Sequence, residues 1–220
     1  KARIRSIFNQ AVSEKIAEEM LSGRLRLEGE RRDVTVLFSD IRGFTSLSER
    51  TPPEGIVEML NGYFSVMAPI VTQYEGVVDK FIGDELFAIF GAPIGIPDNA
   101  LAAVKAALDM MAALGKFNEQ RPAARMEPVL IGIAINTGAV VAGTMGSRDR
   151  LNYTVLGQTV NIGARLCSHA AAFQILVSEG VYERIKDKVN LNLLPPLTVK
   201  GVTLPLRVFE VAGLKESMYA

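Results

Sequence analysis

Apolar and polar positions switch between two periods along this chain. Val34-Thr35-Val36-Leu37-Phe38-Ser39 is a β-branched and aromatic run that reads as a buried strand. It ends at Asp40, and Gly43-Phe44-Thr45 begins a turn into a helix. Thr51-Pro52-Pro53-Glu54 reads as a capping box with proline at the first helical position. Behind it Ile56, Met59, Leu60, Tyr63, Phe64, Met67 and Ile70 recur at helical spacing, which predicts a helix to about Tyr74, stopped by Gly76. Strand-like runs follow over 77–82 and 86–90, with Gly83-Asp84-Glu85 between them as a tight hairpin. An Ala-rich helix is expected over 98–119. Strands over 129–135 and 139–142 flank Asn136-Thr137-Gly138, which reads as a second hairpin turn. Residues 143–150 form a charged, Gly-containing excursion. A strand over 152–155 precedes a helix over 159–171, and strands near 174–178, 190–199 and 206–212 complete the pattern.

This order predicts an α+β fold, a mostly antiparallel sheet with helices on one face. Residues 1–33 stand apart from it. They are polar and basic, with Ile4, Ile7, Phe8, Val12 and Ile16 near helical spacing and glycines at 23 and 29. They read as a helix and linker, either a cap on the domain or a connector from an upstream regulatory domain. The body is expected over 34–220.

Composition narrows the function classes. With 49% hydrophobic and 22% charged residues, the chain can build a core and is not a disordered tail. Lys plus Arg equals Asp plus Glu, 24 each, so the basic excess of a nucleic-acid binder is missing. The single Cys167 cannot form an internal disulfide, which fits a reducing, cytoplasmic compartment. No uninterrupted apolar run approaches the roughly 20 residues of a membrane span, so direct membrane insertion is not expected of this stretch. The chain opens on Lys1 rather than Met, and the expectation is a piece of a longer protein that could itself be membrane-anchored.

Two hydrophobic strands each deliver an aspartate at a turn, Asp40 and Asp84. If those strands are neighbours, the carboxylates converge, and Mg²⁺ typically takes one or two protein carboxylates plus water and substrate phosphates. Singly, either aspartate is ordinary turn chemistry. The loop Ile41-Arg42-Gly43-Phe44-Thr45 adds backbone N–H groups at a helix start, suited to an anion. Neither a P-loop nor a Rossmann glycine fingerprint is present.

Four blocks then carry a resemblance. Phe38-Ser39-Asp40-Ile41-Arg42-Gly43-Phe44-Thr45, Asp79-Lys80-Phe81-Ile82-Gly83-Asp84-Glu85, the run from Tyr153 to Leu166, and Val199-Lys200-Gly201 resemble, in the family's order, the motifs of class III nucleotide cyclases. The resemblance covers roughly residues 30–212 and implies a ferredoxin-like, palm-like sheet. It implies two Mg²⁺ or Mn²⁺ ions per site at Asp40, Ile41 and Asp84, and phosphates along Gly43, Phe44 and Thr45. It also implies ribose positioning by Asn161, α-phosphate stabilisation by Arg165, and a triphosphate contact from Lys200. Lys80 matches the lysine of adenine selection. Its usual aspartate partner is replaced by Thr154, whose hydroxyl can accept from a 6-amino group but can also donate. Gly163 stands where alanine is commoner.

The reading is therefore an adenylate cyclase, converting ATP to 3′,5′-cyclic AMP and pyrophosphate. Guanylate or mixed specificity remains open through Thr154, as does a non-catalytic nucleotide-sensing dimerisation module. The Asn161/Arg165 helix and Lys80 argue against a diguanylate cyclase. The family implies a head-to-tail homodimer with shared sites, in which the 143–150 excursion reaches across. Cys167 is expected in the core and His169 at the surface near a helix C-terminus.

Overall fold

The computed structural model describes residues 29–121, 127–147, 150–200 and 202–215. The helix expected near the N-terminus lies outside them, as does Gly201. Strand β1 spans Glu30–Ile41, followed by helices α1 (Phe44–Arg50) and α2 (Pro53–Gln73). Strands β2 (Val77–Ile82) and β3 (Glu85–Phe90) precede α3 (Asn99–Gln120), β4 (Ile131–Ser147) and β5 (Arg150–Leu156). Then come α4 (Gln158–Cys167), β6 (Ile175–Ser178), α5 (Glu179–Ile185), β7 (Val189–Leu193) and β8 (Val208–Leu214). The sheet order is β2-β3-β1-β4-β6-β8-β7, with β5 paired to β4. Every pairing is antiparallel except β4 with β6. The α+β expectation holds.

Helices cover both faces of the sheet, not one. Side chains alternate along β1, so Leu37 and Ile41 pack with Met59, Tyr63 and Met67 of α2 and Val104 and Met110 of α3. Val34, Val36 and Phe38 point the other way, into a second cluster with Leu166 and Cys167 of α4 and Val155 of β5. That is why residues 34–39 read as an unbroken apolar run: every one of them is buried. By length and composition α2 could cross a bilayer, but Tyr63, Met67 and Val71 are fully buried in the first cluster, which makes it a core helix.

Three local readings change. Asn136-Thr137-Gly138 is not a turn: β4 runs straight through it, paired with β1 from Ile131 to Ala142. Polar groups there serve packing rather than chain reversal. Asn136 Nδ2 donates to Thr159 O at 2.8 Å, and a Cβ on Gly138 would lie 2.8 Å from Thr159 Oγ1. The true hairpin comes later, as β4 and β5 pair down to Ser147 opposite Arg150, forming an arm where an excursion was expected. Thr51 does not N-cap α2 either. Pro52 occupies the N-cap of α2 without a side-chain cap bond, and Thr51 ends α1. Finally, α4 stops at Cys167, four residues short of the expected end, and α5 occupies a stretch the pattern left unassigned.

Candidate active site

The two aspartates converge. β1 is hydrogen-bonded to β3, in register from Thr35 opposite Phe90 to Ser39 opposite Leu86. One residue further, Asp40 therefore sits beside the β2–β3 hairpin. That hairpin closes with a two-residue loop in which Gly83 has φ 64°, a left-handed conformation that suits glycine at the first turn position. Asp84 is the second turn residue, aimed back at the end of β1. Below it, Ser39 and Tyr63 share a buried hydrogen bond of 2.9 Å that ties the strand end to α2. Burial also pushes the Tyr63 hydroxyl well above its ordinary range.

Asp40, Ile41, Arg42, Gly43, Phe44, Thr45 and Asp84 line one open cavity of about 250 Å³. Gly43, at φ 71°, turns the chain from β1 into α1 and lets the backbone of 43–45 form its wall. Ile41 lines the cavity while its side chain belongs to the first core cluster. Asp40, Ile41, Gly43, Phe44, Thr45 and Asp84 are thus brought together, while Lys200 and Arg165, also expected at the phosphates, are not among them.

The electrostatics of this end are unbalanced. Partial burial, then the nearby Asp40 carboxylate, push Asp84 up to about 6. Glu85 rises to about 7, again through burial first and then Asp40 and Asp84. The positive group at hand is Arg42, which pairs with Asp40 and donates to the Ala170 carbonyl at 3.2 Å. Among the described residues no three His, Cys, Asp or Glu side chains form a closed ligand set. Two carboxylates and a carbonyl, half-buried and short of positive charge, fit a hard divalent cation that keeps open positions for phosphate and water.

The remaining expected residues lie elsewhere in the chain. Lys80 and Thr154 meet across β2 and β5, with Lys80 Nζ donating to Thr154 Oγ1 at 3.4 Å. Between them is Asp79, whose carboxylate accepts from Thr154 Oγ1 at 2.9 Å and pairs with Lys80 Nζ at 3.1 Å. Sequence reading gave Asp79 no role. The available signal was a pair of adjacent opposite charges in a strand, where neighbours should face opposite ways. On α4, Asn161 is exposed and Arg165 half-buried one turn on, while Thr159, Gly163, Leu166 and Cys167 form the buried face. Arg165 donates to the backbone carbonyl of Lys200, which brings those two positions together. None of Lys80, Thr154, Asn161, Arg165 or Lys200 lines the cavity that holds Asp40 and Asp84. Cys167 is buried with its thiol pushed well up by burial, and His169 is exposed with Nδ1 2.9 Å from the Arg165 carbonyl oxygen.

A fold and a carboxylate site of this kind define a nucleotide cyclase domain. The family profile described as "Adenylate and Guanylate cyclase catalytic domain" matches residues 28–213, and the chain belongs to that family. Adenylate cyclase 1 of Rhizobium meliloti is 34% identical over 186 residues, covering 84% of this chain and 28% of that protein. An uncharacterised Mycobacterium tuberculosis protein is 34% identical over 97% of this chain and 39% of its own length. This chain thus spans well under half of these curated relatives. Among solved structures, the adenylyl cyclase CyaB from P. aeruginosa superposes with a TM-score of 0.83 at 36% identity, over 86% of this chain and 98% of that one. The guanylyl cyclase Cya2 superposes with a TM-score of 0.79 at 41% identity, over 86% and 95%.

Proposed function

We propose that this domain is an adenylate cyclase acting as a head-to-tail homodimer. The observation that carries the activity is the convergence of Asp40 and Asp84 on a cavity that residues 41–45 also line. Asp40, Asp84 and the Ile41 carbonyl would hold Mg²⁺ or Mn²⁺, two ions per site. When bound, these ions lower the pKa of a ribose 3′-hydroxyl and neutralise phosphate charge. The backbone of Gly43, Phe44 and Thr45 lies along the phosphates, with Lys200 on the triphosphate. Asn161 orients the ribose, and Arg165 meets the charge that builds on the α-phosphate in the transition state. The 3′-oxygen bonds to the α-phosphorus as the bond to the bridging oxygen breaks, giving 3′,5′-cyclic AMP and pyrophosphate.

The dimer follows from separation. The base, ribose and arginine positions do not line their own chain's carboxylate cavity, which supports a second copy bringing them to it. Apolar surface is available for that contact. Val141 and Leu156 face each other across the β4–β5 arm and are both exposed, as are Phe81 and Ile82 on β2. The connector expected over residues 1–33 gives up 30–33 to β1, and the residues before them are read as setting the relation of the two copies, joining them to an upstream regulatory domain.

Overall likeness does not choose the base, since identity to the guanylyl cyclase Cya2 exceeds that to the adenylyl cyclase CyaB. Lys80 and Thr154 favour adenine. Incubating the full chain with Mn²⁺ or Mg²⁺ and either ATP or GTP, then measuring cyclic product, tests the proposal. Comparable rates on both nucleotides would remove the adenine assignment, and no product from either would remove the activity.

A further inference from the structure

The pairing of β2 with β3 slips by one residue. Val78 sits opposite Ala88 and Lys80 opposite Phe87, which leaves Asp79 as the extra residue of a bulge. In a regular strand Asp79 and Lys80 would face opposite sides of the sheet. A bulge re-aims one of them, and here both reach Thr154. The Asp79 side chain is inaccessible to solvent, and its Oδ1 is buried without a hydrogen-bond partner. Burial pushes this carboxyl above its ordinary range on balance, although Lys80 and the hydrogen bonds from Lys80 and Thr154 favour the charged form. A buried carboxylate with an orphaned oxygen is poor stability design, because an apolar residue there would leave nothing unsatisfied. Its presence calls for another explanation.

A threonine hydroxyl has one proton and two lone pairs. Asp79 is an acceptor and sits 2.9 Å from Thr154 Oγ1, so the single proton goes to it. Lys80 donates into one lone pair of the same oxygen. What remains toward a ligand is one lone pair on Thr154 and an unused N–H on Lys80. That edge, one acceptor beside one donor, complements the 6-amino group and N1 of adenine. It meets the 6-keto oxygen and N1–H of guanine or hypoxanthine with like against like.

We infer that Asp79 is a specificity-determining positioning residue, which turns Thr154 into an obligate acceptor by taking its proton and so commits the base site to adenine. This rests on the reading of Lys80 and Thr154 as the base-contacting pair. It removes the two-way character of threonine that left the base undecided in the sequence.

The test compares adenine with hypoxanthine, which carries guanine's 6-keto and N1–H edge without its 2-amino group. Affinities of the full chain for the non-cyclising α,β-methylene analogues of ATP and ITP are measured by calorimetry, beside turnover of ATP and ITP themselves. Asp79→Ala is expected to cut the preference for adenine about tenfold or more, with an absolute gain for the ITP analogue, because the freed hydroxyl can donate to a keto oxygen. Asp79→Asn, which keeps the volume and carries the test if the alanine variant does not fold, shifts the preference the same way by less. In a Thr154→Val background, adding Asp79→Ala is expected to move the preference no further. Equal weakening of both analogues by Asp79→Ala and Asp79→Asn would overturn the inference, as would the same shift in preference without the Thr154 hydroxyl. A wild-type chain that prefers the adenine analogue but makes no cyclic product would overturn the catalytic proposal and leave this inference standing.

Discussion

The carboxylate cavity and the Lys80–Asp79–Thr154 cluster are both charged, both built at the ends or flaws of strands, and electrostatically opposite in design. At the cavity, Asp40, Asp84 and Glu85 repel one another, and Asp84 and Glu85 hold their protons to about 6 and about 7. At the cluster, cation, carboxylate and hydroxyl are already in contact within one chain. On the proposed reading, the first region is incomplete without an added cation and the second copy's residues. The second region is assembled before any ligand arrives, so it pays its ordering entropy on folding and can discriminate a base rigidly. On that reading, chemistry and recognition are separated both in space and in what each lacks.

The largest effects test the incomplete region. Asp84→Ala removes one of the two carboxylates proposed to hold metal and is expected to lower kcat/KM by roughly 10³-fold, measured as cyclic AMP formed at saturating Mn²⁺. Activity within a few-fold of wild type would mean the cavity is not the metal site. Arg165→Ala is expected to cost about 10²-fold, mostly in kcat, because its charge is needed in the transition state. Mixing the two inactive variants makes the sharper measurement. Random reassortment of a head-to-tail dimer gives half heterodimers, each with one intact site, so about a quarter of wild-type activity should return. No recovery would mean that one chain supplies both halves of its own site.

A smaller effect concerns what holds the second half in place. Gly163 lies on the buried face of α4, and a Cβ there would come within 2.9 Å of both the Phe38 ring and a Val36 methyl. Phe38 has little room to retreat, being stacked on Phe87 at 4.5 Å with the rings 2° from parallel. Alanine would gain up to about 1 kcal/mol of helix propensity but incur an overpacking cost of about 1–3 kcal/mol. Gly163→Ala is therefore expected to lose about 1 kcal/mol in urea unfolding, with recovery in the Phe38→Leu background. A more stable Gly163→Ala protein would show that α4 is free to shift on the sheet.

How far the sequence could be read depended on the range of the interaction. The aspartates were visible because each ends an apolar run, and the residues lining the cavity lie close along the chain around two turns. The strands of β1, β2 and β3 were legible for the same reason. Gly163 looked like a loss of helix propensity until the stacked rings beneath it came into view. Asn136-Thr137-Gly138 carried turn chemistry that tertiary packing against Thr159 overrode. Asp79 was hidden more deeply. Its role depends on a bulge, which is a property of strand pairing and not of local sequence.

The smallest effect follows from the repulsion in the cavity. Asp84 and Glu85 have folded-state pKa values above the ordinary carboxylate range. Between about pH 4 and pH 7 the native chain therefore binds more protons there than the unfolded chain does, and stability falls as pH rises through that window. The contribution is fully present below the unfolded pKa values and lost as pH climbs past about 6 and 7. Both side chains are partly solvated, so the loss attributable to Asp84 is expected to be at most about 1 kcal/mol at pH 8. Thermal melts of metal-free wild type and Asp84→Asn read the Asp84 contribution together with its repulsion of Asp40 and Glu85. The variant should be the more stable at pH 8 and show no advantage at pH 5. Saturating Mn²⁺ should remove the wild type's deficit at pH 8, since a bound cation replaces the protons that relieve the repulsion. Parallel pH profiles for the two metal-free proteins would mean that the carboxylates are already compensated, and the contrast between a repulsive cavity and a charge-paired cluster would fail at its electrostatic root.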